Sequence, residues 1–425
     1  MSSKSRAIGA KKDGKPAQVP QLRFLEFRDQ ALLQVELRDV TAESTLRNGK
    51  RLPASVVMGV SKANGIVPMD DRIVASDIGR YKVVRKDWFA YNPMRLNIGS
   101  IARWQGDTDI LVSPDYIVFS CLNEQEPGLQ SAFLDQFRQS AAWENFVTQG
   151  GGGSVRIRIY YDDIGILKLN LPVLTEQQKI AECLSSADEA IAAQARKVDA
   201  LKKHKKGLMQ QLFPREGDTQ PHRRFPEFQN AGEWRRERLQ EVTDSVFDGT
   251  HQTPAYTAEG VPFYSVENLI SGNANKFISR SDYILATNKN KPTKGDILLT
   301  RIGKIGYSRV VTWDHDFSVY VTLAVIKQSK LFNSHYMSCF IQSEFYQSEL
   351  RRKSLPDAVP PKINLDNLRS TTVLLPNEDE QRKLADCFTA LDHLIIAETQ
   401  KAEALKRHKR GLMQQLFPLA EEAKG

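Results

Sequence analysis

The residues of this sequence that could do chemistry are scattered, and none completes a known catalytic motif. Tyr91-Asn92-Pro93-Met94 begins like the Asn-Pro-Pro-aromatic loop of amino-methyltransferases, but the second proline and the aromatic residue are missing. Asp314-His315-Asp316 groups two carboxylates with an imidazole, although isolated groups of this kind are usually solvated turn residues. The sequence therefore predicts neither methyl transfer nor a metal site at these positions.

Other catalytic signatures are also absent. There is no GxxxxGK[ST] phosphate loop. Thr148–Arg156 (TQGGGGSVR) is rich in glycine, but no lysine follows and a strand is predicted after it, so we expect a turn. HExxH, GxSxG and CxxC do not occur. We therefore expect no catalytic residue, metal or cofactor in this chain.

The composition indicates a globular, cytoplasmic protein with a weak preference for polyanions. Lys and Arg outnumber Asp and Glu by 59 to 51 over 425 residues. The four cysteines are unpaired in sequence and predict buried, reduced thiols: Cys121, Cys183, Cys339 and Cys387. No run of 18 apolar residues predicts a membrane span. Residues 1–20 are basic but lack the apolar core of a secretory signal, so we expect a flexible tail.

The elements that must position any functional residue are marked by an internal repeat. The octapeptide GLMQQLFP occurs at Gly207–Pro214 and again at Gly411–Pro418. It ends a longer repeat, because 176–214 aligns with 380–418 without a gap and 22 of 39 positions are identical. Repeats of this size fix the architecture, so we read the chain as two tandem halves.

Each copy of the repeat has the apolar spacing of a long helix. Positions alternate by four and three residues, which is the seam of a coiled coil. In the first copy the seam is Ile180, Leu184, Ala187, Ile191, Gln194, Val198, Leu201, Lys205, Leu208 and Leu212. In the second it is Leu384, Phe388, Leu391, Ile395, Glu398, Ala402, Leu405, Lys409, Leu412 and Leu416. We expect two helices of roughly 48 Å packed on one another; the alternative is that each packs on its own neighbouring domain.

The regions before the two helices predict mixed α/β domains with mainly antiparallel strands. Short β-rich runs alternate with turns, and the lead segments PQLRFLEF and PHRRFPEF resemble one another. The variable regions share little other sequence, so we expect the helices to be alike and the globular parts to differ. The predicted boundaries are a tail (1–20), domain 1 (21–160), helix region 1 (161–215), domain 2 (216–365), helix region 2 (366–418) and a second tail (419–425).

The helical repeats resemble the spacer helices of type I restriction–modification specificity subunits. The motifs DGTHQTPAY, GVPFYSVENL and GDILLTRIGKIG resemble that family's target recognition domains, as do YNPMRLNIGSIA and SVRIRIYYDDIGILKLNLP. The resemblance implies an α+β fold in which two mixed α/β target recognition domains are separated by two long antiparallel coiled-coil helices, with a pseudo-twofold internal repeat. It also implies a non-catalytic chain whose two domains each read one half of a bipartite, asymmetric site on double-stranded DNA.

The same resemblance implies partners. Two modification (methyltransferase) subunits would dock on the helices and hold S-adenosylmethionine. Restriction, or motor, subunits would use ATP and Mg²⁺. The helices would set the gap between the half-sites, which lie roughly 34 Å apart when separated by one helical turn of DNA.

Candidate DNA contacts are polar residues in the predicted loops of these domains. Arg and Lys can bond guanine edges, and Asn and Gln can bond adenine edges. In domain 1 the candidates are Asn92, Arg95, Asn97, Ser100 and Arg103. In domain 2 they are Thr250, His251, Gln252, Thr253, Ser265, Asn268, Arg301 and Lys304.

The basic runs 202–206 and 406–410 are open to three interpretations: a solvated helix face, which we favour, a partner surface, or phosphate contacts. Two other functions also stay open. A coiled-coil scaffold for proteins would bind DNA without sequence preference, and an enzyme with an unrecognised site would turn DNA over by itself.

Overall fold

The computed structural model describes residues 20–70, 74–149 and 158–417, which form two compact units. Unit 1 comprises Met1–Gln194 with Lys401–Gly425, and unit 2 comprises Ala195–Gln400. The predicted tails at 1–19 and 419–425 and most of the glycine-rich turn lie outside the described residues. Among the described residues, no helix has the length and apolarity needed to cross a lipid bilayer.

The described residues of unit 1 form ten strands, three short α-helices and parts of two long ones. Its strands are β1 (Leu33–Glu36), β2 (Thr41–Glu43), β3 (Met58–Ser61), β4 (Gly65–Pro68), β5 (Lys82–Val84), β6 (Phe89–Tyr91), β7 (Ile101–Arg103), β8 (Ile110–Val112), β9 (Ile117–Cys121) and β10 (Lys168–Leu171). Its short helices are α1 (Ser131–Phe137), α2 (Ala141–Gln149) and α3 (Tyr161–Gly165). The first long helix, α4 (Leu174–Leu212), begins in this unit.

Unit 2 repeats the plan. Its strands are β11 (Arg235–Arg238), β12 (Val246–Asp248), β13 (Tyr256–Thr257), β14 (Val261–Tyr264), β15 (Phe277–Ile278), β16 (Ile297–Thr300), β17 (Ser308–Val310), β18 (Ser318–Val319), β19 (Leu323–Ile326) and β20 (Thr372–Leu375). Its helices are α5 (Leu239–Val242), α6 (Val266–Ser271), α7 (Arg280–Ala286), α8 (Ser334–Ile341), α9 (Glu344–Lys353) and α10 (Leu365–Arg369). The second long helix, α11 (Glu378–Leu416), begins here.

The two units have the same central sheet despite their unlike sequences. In unit 1 its order is β2-β9-β6-β7, and in unit 2 it is β12-β19-β16-β17, antiparallel throughout. Each unit also pairs its first strand with its last, β1 with β10 and β11 with β20. The expectation that the globular parts differ therefore holds in part. The central sheet and the first-to-last strand pair agree, but the other strands form the pairs β3-β4 and β5-β8 in unit 1 and the four-stranded sheet β13-β15-β14-β18 in unit 2.

The start of each long helix is fixed by the same pair of contacts. In unit 1, Arg23 Nε donates to Glu176 Oε1 at 3.0 Å, and in unit 2, Arg224 Nε donates to Glu380 Oε1 at 2.8 Å. Both carboxylates are buried, so each lead segment is held at the first turn of the helix that follows its domain. The repeated segment Arg-Phe-x-Glu-Phe thus supplies the arginine that bonds the repeated glutamate at each helix start.

The predicted seams are confirmed, since every seam position is buried or half-buried. The two seam lysines form matched ion pairs across the helices, one with its lysine on α11 and the other with its lysine on α4. In unit 1, Lys409 of α11 bonds Asp188 of α4 at 2.6 Å. In unit 2, Lys205 of α4 bonds Asp392 of α11 at 2.6 Å. Polar pairs of this kind in an apolar seam favour one register over others.

The direction of the helices follows from a second pair in unit 2, Lys197 with Glu398 at 2.5 Å. Residue numbers rise along α4 as they fall along α11, so the helices are antiparallel there. The ion pairs agree with the predicted antiparallel coiled coil. The alternative also holds in part, because each helix packs on a globular core.

The duplicated octapeptide belongs to two different cores. Leu212 and Phe213, at the end of α4, are buried in unit 2 with Trp234, Tyr336 and Phe388. The corresponding Met413, Leu416 and Phe417, at the end of α11, are buried in the core of unit 1, which includes Phe133 and Phe137. Each globular core is therefore completed by the helix that follows the other domain.

Several sequence predictions need adjustment. The sequence favours some short helices over 129–146 and 334–350, and the structure has two in each region, α1 with α2 and α8 with α9. The described part of the strand predicted at 155–161 is not a strand, since 158–160 is irregular and α3 begins at Tyr161. All four cysteines are free thiols, but only Cys339 is fully buried, and burial raises its pKa to about 12.

Replacing Phe417 by alanine tests the exchange of helix ends. Its ring meets Phe133 and Phe137 edge-on, at centroid distances of 5.5 and 5.4 Å. We expect the variant to lower the free energy of unfolding of unit 1 by about 3–5 kcal/mol, measured by denaturant-dependent hydrogen exchange. Phe213→Ala is the matched control and should weaken unit 2 instead. Equal losses in both units for each variant would contradict the assignment.

Candidate nucleic-acid interface

The candidate loops of unit 2 meet at one end of its central sheet. β12 and β16 both run antiparallel to β19, so they end on the same side. The segments that follow them, 249–253 and 301–307, lie beside the turn 320–322 that precedes β19. Backbone bonds join Thr250 to residues 319 and 321, and Arg301 to residue 322. We call these three segments the unit 2 loop cluster.

A buried ion pair lies beneath this cluster. Arg301 is 7% exposed, and its Nη1 donates to Asp248 Oδ2 at 2.6 Å. The same guanidinium donates to the carbonyl oxygens of Val321 and Ile363, both at 3.1 Å. Burial lowers the pKa of Arg301, and the carboxylate of Asp248 opposes that effect. Arg301 therefore supports the loops from inside, and its side chain is not presented at the surface.

Gly249 allows the first loop to leave β12. A β-carbon at this position would lie 1.8 Å from the carbonyl oxygen of Val319 and 2.7 Å from the carbonyl carbon of Tyr320. No side chain larger than hydrogen fits this close approach of two backbones. The residues that follow are consequently held against the turn at 320–322.

The predicted residues of this loop are the most accessible of the set. His251, Gln252 and Thr253 are exposed and Thr250 is half-buried. His251 Nε2 lies 3.2 Å from Asp248 Oδ2, and Thr253 Oγ1 lies 3.2 Å from the hydroxyl of Tyr320. The loop is thus tethered at both ends while its outer edge stays open to a ligand.

Of the remaining candidates of unit 2, two bond within the fold and one is exposed. Asn268 is 1% exposed, and its amide nitrogen donates to Asn273 O and Asn275 Oδ1. Ser265 is half-buried and donates its hydroxyl to Asn268 Oδ1 at 2.8 Å, at the start of α6. Lys304, by contrast, is fully exposed on the turn between β16 and β17.

Unit 1 has a corresponding cluster at the same end of its sheet. β2 and β6 both run antiparallel to β9, so the segments 44–48 and 92–100 meet the turn 113–116 that precedes it. We call these segments the unit 1 loop cluster. Arg95 is exposed and Asn97 half-buried, while Asn92 Oδ1 accepts from the backbone nitrogen of Met94 at 2.9 Å.

Two candidates of unit 1 are held internally. Ser100 is 4% exposed, and its hydroxyl donates to the carbonyl oxygen of Val60 at 3.0 Å. Arg103 lies at the far end of β7 and pairs with Asp87 and Asp135, each at 3.4 Å. These side chains join the internal network, so they are weaker candidates for base contacts than Arg95 and Asn97.

Sequence reasoning missed two residues that shape the clusters. Asp248 stands directly before the glycine of the first loop, and that position was the only signal. Lys82 of β5 is 6% exposed, and its ammonium donates to the carbonyl oxygen of Tyr116 at 2.7 Å. A lysine inside the apolar run YKVV could have been recognised as unusual, but nothing in the sequence links it to Tyr116.

The described residues hold no group of three or more His, Cys, Asp or Glu side chains arranged for a metal ion. At Asp314-His315-Asp316, Asp314 pairs with Lys294 and the imidazole stacks on Trp313. Asp316 bonds Lys291 and Arg280, which hold its pKa below the ordinary value. This group is a set of surface ion pairs.

Each basic run of the long helices contains one lysine that faces the seam and four residues that are exposed. Lys205 and Lys409 turn inward to the seam pairs described above. The other members are exposed, and they are Lys202, Lys203, His204, Lys206, Lys406, Arg407, His408 and Arg410. The seam position and the outer faces therefore have different roles, and phosphate contact stays a prediction for the outer faces.

Comparison with known proteins links these features to one family. Residues 232–407 match the model of the type I restriction modification DNA specificity domain. The chain is similar to the type I restriction enzyme MjaVIII specificity subunit of Methanocaldococcus jannaschii, with 25% identity over 59% of this chain and 61% of that protein. That alignment spans less than two thirds of the relative. A putative MjaX specificity subunit of the same organism is 25% identical over 81% of this chain and 80% of its own length.

Solved structures share the fold at lower identity. The S subunit of a type I restriction–modification system from M. genitalium superposes with a TM-score of 0.62 and 14% identity, over 95% of this chain and all of that one. A chain from structural work on complex assembly and conformational transition of the type I R-M system gives 0.55 and 18%, over 91% and 98%. These likenesses support the arrangement of two domains and two long helices.

Replacing Gly249 by alanine tests whether the first loop of the unit 2 loop cluster forms the interface. The added methyl group must separate residue 249 from Val319, so the loop moves. We expect weaker binding of the assembled protein to its specific DNA and faster hydrogen exchange at 250–253. Gly207→Ala is the matched control, because nothing lies within 4 Å of its β-carbon position in α4. That change should keep DNA binding and stabilise the helix by up to about 1 kcal/mol. Unchanged DNA binding in Gly249→Ala would remove this loop from the interface.

Proposed function

We propose that the chain is a specificity subunit of a type I restriction–modification system and selects the DNA sequence on which such a complex acts. In this proposal each unit reads one half of a bipartite, asymmetric site. Catalysis belongs to partner subunits: two modification subunits that use S-adenosylmethionine, and restriction subunits that use ATP and Mg²⁺. This chain binds none of these cofactors.

One observation carries the proposal: the two units repeat one sheet and present unlike loops at the same end of it. The unit 1 cluster offers the exposed Arg95 and the half-buried Asn97, whereas unit 2 offers the exposed His251, Gln252 and Lys304. Side chains of these types bond base edges in the major groove. Repeated scaffolds with different loops suit a site whose halves differ in sequence.

The long helices suit the role of a spacer. Each has 39 residues, which corresponds to about 58 Å of helix at 1.5 Å per residue. The matched polar pairs in the seam fix its register, so helix length determines which gap is tolerated. Because the outer faces repeat, they offer similar surfaces to two copies of one partner subunit.

The central test is methylation of a split sequence. The chain would be assembled with the modification subunits of its own system, and methylated positions mapped by sequencing. We expect one bipartite site, with at least a hundredfold loss of methylation when either half is scrambled. Binding should also weaken steeply with salt, because phosphate contacts release counterions. Methylation or binding that ignores both scrambled halves would contradict the proposal and support a protein scaffold.

A change of helix length tests the spacer role. Seven residues that continue the seam would be inserted between Gln194 and Val198 in α4 and between Glu398 and Ala402 in α11. Each helix then grows by about 10 Å, which corresponds to a gap about three base pairs longer. The control inserts two residues at each place, which breaks the seam register and should prevent specific methylation. An unchanged gap with the heptad insertions would show that the helices do not set it.

A further inference from the structure

In each unit a buried cation bonds the turn that precedes the second strand of the central sheet. In unit 2 this is Arg301, which follows β16, and in unit 1 it is Lys82, which begins β5. The two residues are 7% and 6% exposed. They come from different strands, so the internal sequence repeat does not account for them. A charge is costly to bury, and its retention calls for a reason.

The cations bond the same part of the fold. Arg301 Nη1 donates to the carbonyl oxygen of Val321, in the turn before β19. Lys82 Nζ donates to the carbonyl oxygen of Tyr116, in the turn before β9. These turns correspond, because β9 and β19 are the second strands of the two matching sheets. Each cation therefore holds the turn against which its loop cluster packs.

The first loop of each cluster is joined to the residue that supplies the cation, by side chains in unit 2 and by backbone pairing in unit 1. In unit 2, Arg301 pairs with Asp248, whose Oδ2 atom also lies 3.2 Å from His251 Nε2. One carboxylate oxygen thus joins the buried guanidinium to an exposed side chain of the loop. In unit 1 the first loop is joined through the backbone: Arg47 forms an antiparallel β-bridge with Lys82, and the backbone nitrogen of Val83 donates to Leu46 O at 2.9 Å.

The electrostatic surroundings agree with this role. The ammonium of Lys82 lies near Glu43, the last residue of β2, and Asp115, with Arg47 opposing them. Burial lowers the pKa of Lys82 by more than Glu43 and Asp115 raise it. Methionine has similar volume and would avoid this cost, so packing alone does not explain a lysine here.

We propose that Arg301 with Asp248 in unit 2, and Lys82 in unit 1, are positioning residues that fix the DNA-facing loops and so determine how strictly each half-site is read. The proposal rests on the proposed function. Since neither cation reaches the surface, each acts through the loop it holds. Each therefore affects the half-site of its own unit only.

The test compares three DNA duplexes: the intact site, one with the first half scrambled and one with the second half scrambled. The chain, assembled with its modification subunits, is titrated against each, and a discrimination ratio is obtained for each half-site. We expect Asp248→Asn to lower the ratio at the half read by unit 2 at least tenfold. The ratio at the other half should stay within twofold. Lys82→Met should give the reverse pattern.

The matched control is Asp296→Asn. Asp296 is fully buried at the other end of β16 and bonds Lys327 at 2.8 Å. The variant therefore loses a comparable buried ion pair that lies away from the loops. Both discrimination ratios should remain within twofold of the unmodified protein. A fall equal to that of Asp248→Asn would show that lost stability, and not loop position, sets specificity.

A double variant separates the effect of an unpaired buried charge on stability from the effect of a displaced loop on discrimination. Asp248→Asn leaves the guanidinium buried without its carboxylate, whereas Asp248→Asn with Arg301→Met removes the charge as well. The double variant should recover stability in denaturant unfolding and still discriminate poorly at that half-site. Recovery of discrimination as well would overturn the proposal. If the unmodified protein discriminates at neither half-site, the proposed function itself fails, and the two failures are thereby distinguished.

Discussion

The last turn of α4 is buried in the core of unit 2, and the last turn of α11 is buried in the core of unit 1. The rest of the structure depends on this exchange of helix ends. Phe213 and Phe417 are both nearly inaccessible, and each lies among aromatic residues of a domain that it does not follow directly in sequence. Neither core is complete without that ring. The helices must therefore run antiparallel and keep their register, which the reciprocal pairs Asp188–Lys409 and Lys205–Asp392 support.

This constraint explains why the repeat is strict in some places and absent in others. The octapeptide, the seam and the Arg–Glu contact at each helix start touch the shared framework, so they recur nearly unchanged. The loops beyond the central sheets touch none of it. Topology is conserved between the units because the sheets must accept the same helix ends, while the loops are free to differ.

The framework was predictable from the sequence because it obeys local rules. Heptad spacing over four heptads and a duplicated helix end indicate helix length and partner, whereas the antiparallel direction came from the family resemblance. The β-rich runs located most strands of the central sheets. The site was less predictable. Arg301, Asn268 and Ser100 have the residue types expected of base contacts, yet their polar atoms bond within the unit. The sequence pattern alone does not distinguish a polar residue that supports a loop from one whose side chain is exposed to a ligand. The difference depends on whether a backbone carbonyl far away in sequence lies within bonding distance.

Short strands make such internal support necessary. The strands that carry the loop clusters have only three to five residues, so few ladder bonds hold their ends. A loop that must distinguish bases needs atoms fixed to within a fraction of an ångström. Three bonds from one guanidinium, to a carboxylate and two carbonyls, supply that rigidity in unit 2 at the cost of a buried charge. Unit 1 uses a lysine from another strand for the corresponding turn. Two unlike sequences therefore bond the same turn of the central sheet with a buried cation taken from different strands, which agrees with a demand that comes from the loops.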